Sequence, residues 1–211
     1  MNKIRIISFL ILVVAFNFSA CKNGEKKEES KETLKVETKK STAAFIVANA
    51  KNEINFTAYK TTEKVPVGGQ FKKIDITAGG EGDSVKNAIN NTEFSIPVSS
   101  LFTKDTSRDF KIRKFFFGIM ENTKLLSGKL TLSDATNGIA KITMNGETKD
   151  VAFTYTIVDK TFNMQATIDI NTWNASAALT SLNTVCKDLH TGADGVSKTW
   201  NDVALNITTT F

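Results

Sequence analysis

The chain has 211 residues, 41% hydrophobic and 23% charged, with 27 basic and 22 acidic side chains, a formal charge of +5, one His and two Cys. The positive excess belongs to the N-terminal segments: from Ser41 onward there are 18 basic and 17 acidic residues. No basic face is then left to neutralise phosphates, which removes the main support for nucleic-acid binding, and what remains is the length of one ordinary domain.

Residues 1–20 carry Lys3 and Arg5 and no acid, then the apolar run Ile6–Phe18, then Ser19 and Ala20 before Cys21, the pattern of a secretion signal. The run has 13 residues with Ser8 and Asn17 inside it, short of the about 20 that a transmembrane helix needs. Phe18-Ser19-Ala20-Cys21 resembles the bacterial lipobox, in which the thiol accepts a diacylglyceryl group and the Cys becomes the new N-terminus. Lys22 to Lys40 holds seven Lys and five Glu, with only Leu34 and Val36 as large apolar residues, so it reads as a solvated tether. The expected organisation is a signal peptide at 1–20, a lipidated Cys and flexible tether at 21–42, and a folded domain at 43–211. With Cys21 lipidated, Cys186 is the only free thiol and no intrachain disulfide forms.

Within the domain, period-two alternation predicts strands at Ile54–Tyr59, Phe71–Thr77, Phe94–Val98 and Leu126–Leu132. Pro97 marks its segment as an edge, a strand start or a bulge, because proline cannot donate to the ladder. Asn145-Gly146 between Ile139–Met144 and Val151–Ile157 is the strongest short signal for a hairpin. Val151, Phe153, Tyr155 and Ile157 share one strand face; Phe162, Met164, Ala166, Ile168 and Ile170 share another, and Val203, Leu205 and Ile207 a third. Two stretches are helical: Thr106–Met120, interrupted at Gly118, and 174–190, where Ala178, Leu182, Val185, Cys186 and Leu189 recur at helical spacing, Asn174 caps the start and Gly192 follows the end. About eight short strands with one or two short helices predict an all-β fold, an antiparallel sandwich or closed barrel.

With the strands placed, the residues from about Phe45 to Phe211 resemble the YceI-like family. Ile142-Thr143-Met144-Asn145-Gly146-Glu147-Thr148-Lys149-Asp150-Val151 is similar to its strand-turn-strand signature, Gly69-Gln70-Phe71 to its Gly-x-Phe, and Arg108-Asp109 followed by Phe115-Phe116-Phe117 to its Arg-Asp element and paired Phe. Thr199-Trp200-Asn201-Asp202-Val203 is similar to its closing strand. At the opening, where the family has an aromatic, an Asp and a His-Ser pair, this chain has Phe45, Ala48, Lys51 and Asn52, and Lys111 replaces the His of the Arg-Asp element. The resemblance implies a lipocalin-like antiparallel barrel whose apolar interior holds a long isoprenoid or similar amphiphilic lipid. It makes Phe56, Phe71, Phe94, Arg108, Phe116, Phe153, Tyr155, Phe162, Met164 and Trp200 the candidate ligand-binding residues, with no catalytic residue, cofactor or metal. Elementary geometry leaves the interior open, since a barrel of this size either fills with its own side chains or holds one slender ligand.

Three readings of function compete. The first is a non-catalytic lipid carrier at the bacterial cell envelope, lipid-anchored at the outer membrane with its domain in the periplasm or at the cell surface, a homodimer being left open. The second is a small outer-membrane barrel, suggested by Phe211 after alternating Val203, Leu205 and Ile207. The third is a metal-dependent enzyme using Cys186 and His190, which share a helical face at i and i+4 near Asp188 and Asp194. Arg108 and Asp109 read as loop-anchoring groups near a ligand head group.

Overall fold

The computed structural model describes residues 41–211; the signal segment, Cys21 and tether residues 22–40 lie outside the described residues. The domain opens with β1 (Phe45–Ile46), β2 (Lys51–Lys60), β3 (Val65–Phe71), β4 (Asp75–Ala78) and β5 (Glu81–Gly82), then α1 (Val85–Ile89), β6 (Glu93–Pro97) and β7 (Leu101–Phe102). α2 (Thr106–Phe115) precedes the long strands β8 (Leu125–Leu132), β9 (Asn137–Met144), β10 (Glu147–Val158) and β11 (Thr161–Asp169). α3 (Ser176–Val185) and α4 (Lys187–His190) come before β12 (Asp202–Thr210). Ten strands form one antiparallel sheet in the order β4-β6-β8-β9-β10-β11-β12-β2-β3-β7, and β1 pairs with β5. All of the described core is drawn from Phe45–Phe211.

The sheet curls into a barrel whose seam is crossed by covalent chain. β3 and β7 are neighbours at one edge, β4 and β6 at the other; Lys72–Ile74 links β3 to β4, and Val98–Ser100 links β6 to β7. A backbone bond from Lys72 N to Ser100 O at 3.0 Å ties the two links together. The expected antiparallel barrel is therefore present, with ten strands in its sheet rather than about eight, the edge strands being only two to four residues long.

Local chemistry explains the long strands. At Asn145-Gly146 both residues have positive φ, +51° and +72°, and Met144 stands opposite Glu147, the two-residue turn whose twist matches the flanking strands. Asn145 also pins the turn sideways: its Oδ1 accepts from Glu121 N at 2.8 Å and its Nδ2 donates to Trp173 O at 2.7 Å. The alternation of β10 is realised as expected, Val151, Phe153 and Tyr155 buried while Ala152, Thr154 and Thr156 are exposed. Three inward Phe rings lie on glycines directly across the ladder, Phe56 on Gly69, Phe94 on Gly128 and Phe153 on Gly138. A Cβ on any of these glycines would overlap the ring, so the missing side chain is what lets an aromatic lie flat inside a curved wall.

Several expectations are corrected. Phe71–Thr77 is not one strand: Phe71 ends β3, and the chain then crosses the seam to start β4 at Asp75. The alternation runs on because Ile74 and Ile76 still pack on the core, and periodicity does not register a change of partner. Pro97 is neither a strand start nor a bulge but the last residue of β6, where β4, which pairs only with Glu93–Ser95, no longer reaches it. The stretch 174–190 is two helices, broken at Cys186 (φ −110°, ψ 13°). The break turns Leu189 away from the core, leaving it 57% exposed. Asn174 does not cap; it sits in the left-handed region at φ +53° and its side chain donates to Glu147. α2 ends at Phe115, before Gly118, and α1 had no counterpart in the sequence pattern.

Candidate functional site

The barrel has two ends of different character. At the end bearing the β8–β9 loop, Phe153, Tyr155, Phe162 and Met164 are 3% exposed or less. Their rings step from Phe153 to Tyr155 (6.2 Å) to Phe162 (5.4 Å). The Tyr155 hydroxyl donates to Asp134 O at 2.6 Å, and burial pushes its phenol above the ordinary value. Four of the ten candidate ligand residues are thus assembled into a solid plug, each polar atom satisfied.

At the helical end the interior is open. A cavity of about 140 Å³ lies beneath α2 and α3. Phe56, Ala58 and Phe71 come from β2 and β3, Met144 from β9, Ile168 and Leu205 from β11 and β12, and Ile112, Phe116, Leu179 and Leu182 roof it. Of the sequence candidates, Phe56, Phe71, Phe116 and Trp200 meet on this wall. Phe94 does not reach it; its ring lies on Gly128 under β6 and β8. Arg108 stands outside it. The few polar side-chain atoms on the wall are already used: Trp200 Nε1 donates to Thr61 O at 2.7 Å, and Thr199 Oγ1 sits 2.7 Å from His190 Nδ1 and donates to Asn183 Oδ1 at 2.9 Å. Nothing on the wall asks for a polar partner, so an entering apolar chain exchanges water for carbon without stranding a donor or acceptor.

A second opening of about 190 Å³ shares Ala58, Ile112, Leu182 and Thr199 with the cavity wall and leads outward between Lys60, Arg108, Lys111, Leu189 and His190. The two spaces share that stretch of wall, the inner one apolar and the outer one, the port, flanked by Lys60, Arg108 and Lys111 with Asp105 among them. Asp109, 5% exposed, anchors the base of α2 by accepting from Thr103 N at 2.8 Å and Thr103 Oγ1 at 2.6 Å. Asp105 caps the helix, accepting from Arg108 N at 3.0 Å. Arg108 lies 3.6 Å from the Asp105 carboxylate. Lys111 lines the port, while Asn52 at the domain opening holds its own loop, donating to Val47 O at 2.8 Å.

Cys186 and His190 also lie at this port, but with the wrong protonation states for a thiolate pair. Burial pushes the Cys186 thiol up. Burial first, and then the charges of Lys60 and Lys111, push His190 down to about 4. Among the described residues no three His, Cys, Asp or Glu side chains gather to hold a metal.

Sequence reasoning missed Ala58, Ile112, Met144, Leu179 and Leu182 as wall residues. Leu182 had a signal, the apolar stripe of a helix, but nothing local says that the stripe faces an opening.

The YceI-like domain profile matches residues 35–211. The chain belongs to the YceI-like family. Among solved structures, a polyisoprenoid binding domain from Saccharophagus degradans implicated in plant cell wall breakdown superposes with TM-score 0.53 at 13% identity, covering 75% of this chain and 91% of that one. Burkholderia cenocepacia BcnA follows at TM-score 0.49 and 17% identity, covering 75% and 94%, and a Campylobacter jejuni YCEI protein at 0.43 and 18%, covering 66% and 84%. No curated protein matches the chain. The first of these likenesses supports the fold of this YceI-like barrel.

Proposed function

We propose that this YceI-like protein is a non-catalytic carrier that holds the apolar chain of an isoprenoid or similar amphiphilic lipid at the bacterial cell envelope. The observation that carries the reading is the helical-end cavity, whose wall is carbon apart from groups already hydrogen-bonded. The Saccharophagus degradans domain, a polyisoprenoid binding domain of like fold, agrees with it. The polar outer faces of β10 and β11, with Thr154, Thr156, Gln165 and Thr167 outward, favour this reading over a lipid-embedded barrel, which needs an apolar exterior. Because the far end is plugged, the bound chain stops short of Phe153 and Phe162, and the chain length taken up is set by that plug.

Native mass spectrometry of a fragment beginning at Ser41 tests the reading, the expected result being a co-purified lipid adduct. Leu182→Asp, checked for folding by circular dichroism, should remove the adduct, since a charge in the pore costs several kcal/mol. Cys186→Ala and His190→Ala should retain it. Loss of the adduct in those two variants but not in Leu182→Asp would overturn the carrier. In the same reading Cys21 carries the membrane anchor, so Cys21→Ala should abolish labelling of cells by an alkyne fatty acid; equal labelling of both proteins sinks the anchor.

A further inference from the structure

The outer face of the sheet carries a second set of side chains, across the wall from the cavity. Strand register sets Asn137, Thr154, Gln165, Asn206, Asn55 and Gln70 opposite one another, in that order, across β9, β10, β11, β12, β2 and β3. Their neighbours along the strands, among them Phe153, Ala166, Phe56 and Phe71, pack on the core, so the period of two turns the six side chains outward. They make one row about 24 Å long, with a hydrogen-bonding side chain on every strand. Beside it, towards the helical end, the next row is Thr167, Ala204, Thr57 and Gly68, all small and uncharged.

These small residues leave a depression. A groove of about 680 Å³ crosses β9 to β12 and β2, with Thr154, Gln165, Asn206 and Asn55 on its wall. A second, of about 350 Å³, shares Asn55 and Thr57 with it and carries Gln70 and Phe102. Phe102 stands opposite Gln70 at the end of the row, 37% exposed, with Lys72 Nζ 4.6 Å from its ring.

No ionisable residue lines the larger groove, in a chain that is 23% charged. The outward charges of the same strands stand beyond it. Lys141 and Asp150, paired at 2.7 Å, lie with Asp169 and Asp202 on one side, and Lys51 and Glu53, paired at 2.8 Å, on the other. At the two ends, Asp134 is held in its own turn by Thr136 and Asn137, and Lys104 lies beside Phe102. Between members of the row, among the described residues, one side-chain bond forms, Gln70 Nε2 donating to Asn55 Oδ1 at 3.2 Å. Thr154, Gln165 and Asn206 therefore offer both donors and acceptors to a ligand.

That chemistry matches a neutral polyhydroxyl chain, whose hydroxyls give and accept hydrogen bonds and which brings no anion to neutralise. An anionic lipid surface or a nucleic acid needs cations that this band lacks. A protein partner needs apolar anchors, and the row has only Phe102, at its end. We propose that this face is a second binding site, which takes an uncharged polysaccharide strand along the row, its hydroxyls on Gln165, Asn206 and Asn55 and an apolar sugar face against Phe102. The site is separate from the lipid cavity, because the wall of the barrel stands between them.

Titration calorimetry of the Ser41–Phe211 fragment, which contains the whole described core, tests the site with three probes. Cellohexaose and chitohexaose are neutral, and hexagalacturonate is an acidic chain of the same number of sugars. A neutral hexamer should bind and the acidic one should not. Asn206→Ala should weaken binding roughly fivefold, and Gln165→Ala with Asn206→Ala more than about tenfold. Both side chains are exposed, so the fold does not depend on them. Lys141→Ala, beyond the groove, should bind like the parent. Failure of both neutral hexamers to bind, equal binding of hexagalacturonate, or row variants that bind like the parent would overturn the proposal. A fragment that binds no hexamer and is dimeric by analytical ultracentrifugation until Asn206→Lys makes it monomeric would also overturn it, and would give the face to a second copy of this chain.

Discussion

The two ends of the barrel use the same kinds of residue for different ends. Phe153 and Phe56 are both inward-facing Phe, each with its ring on a glycine of the neighbouring strand. Phe153 is 3% exposed and wedged among Tyr155, Phe162 and Met164. Phe56 borders open space beneath two helices. What separates core from site is thus not side-chain chemistry but what covers the end of the tube. A β8–β9 loop that bonds down onto Tyr155 seals one end, and a pair of helices bridging over Phe56 and Leu205 leaves the other hollow.

Mutations that shrink side chains at the two ends should break this symmetry most visibly. Phe162→Ala, at a fully buried position, should cost about 3–5 kcal/mol in urea unfolding, because it opens a cavity in a packed region. Leu182→Ala, on a wall that already borders empty space, should cost under about 2 kcal/mol and act mainly on the lipid adduct. Similar losses at both sites would show that the helical end is packed as tightly as the plug.

Adding a methyl sharpens the contrast. Gly138→Ala must displace the Phe153 ring within filled core and should cost about 1–3 kcal/mol. Gly69→Ala lets Phe56 turn into the cavity, so its stability cost should be the smaller while the lipid adduct is lost. A Gly69→Ala protein that keeps its lipid would show that Phe56 is not on the route of the chain.

The smallest effect concerns pH. His190 is held down to about 4 in the fold against an ordinary value near 6.5, so between those values the unfolded chain binds the proton and the folded one does not. That contribution to stability is complete above pH 6.5 and is lost as pH falls towards 4. In urea titrations across that window, His190→Gln should show a shallower fall than the parent. An unchanged slope would mean that the port is wetter than the half-buried imidazole implies.

Much of the wall was legible in the sequence because each cue is local. Alternation in β10 and β11, and Asn145-Gly146 between two alternating runs, depend on residues within a few positions of each other. The seam was not legible: Ile74 and Ile76 continue an apolar alternation across a change of sheet edge, and no local signal marks the partner. The division of the ten candidate ligand residues was hidden for the same reason. Phe56, Phe71, Phe116 and Trp200 meet on one wall while Phe153, Tyr155, Phe162 and Met164 fill the far end, and that sorting depends on α2 and α3, which come from distant parts of the chain. The exposed Leu189 required knowing that the helix breaks at Cys186, and nothing in Val185-Cys186-Lys187 forces a break.

β12 lies inside the sheet, between β11 and β2, and its register carries Thr210 opposite Lys51 and Ala204 opposite Thr57. The first long strand of the domain therefore waits for the last before it gains its second neighbour, and that pairing spans almost the whole domain, a closure that is slow in folding. Truncation by even one strand at the C-terminus would leave β2 and β11 as two long unpaired edges, open to pairing with other chains.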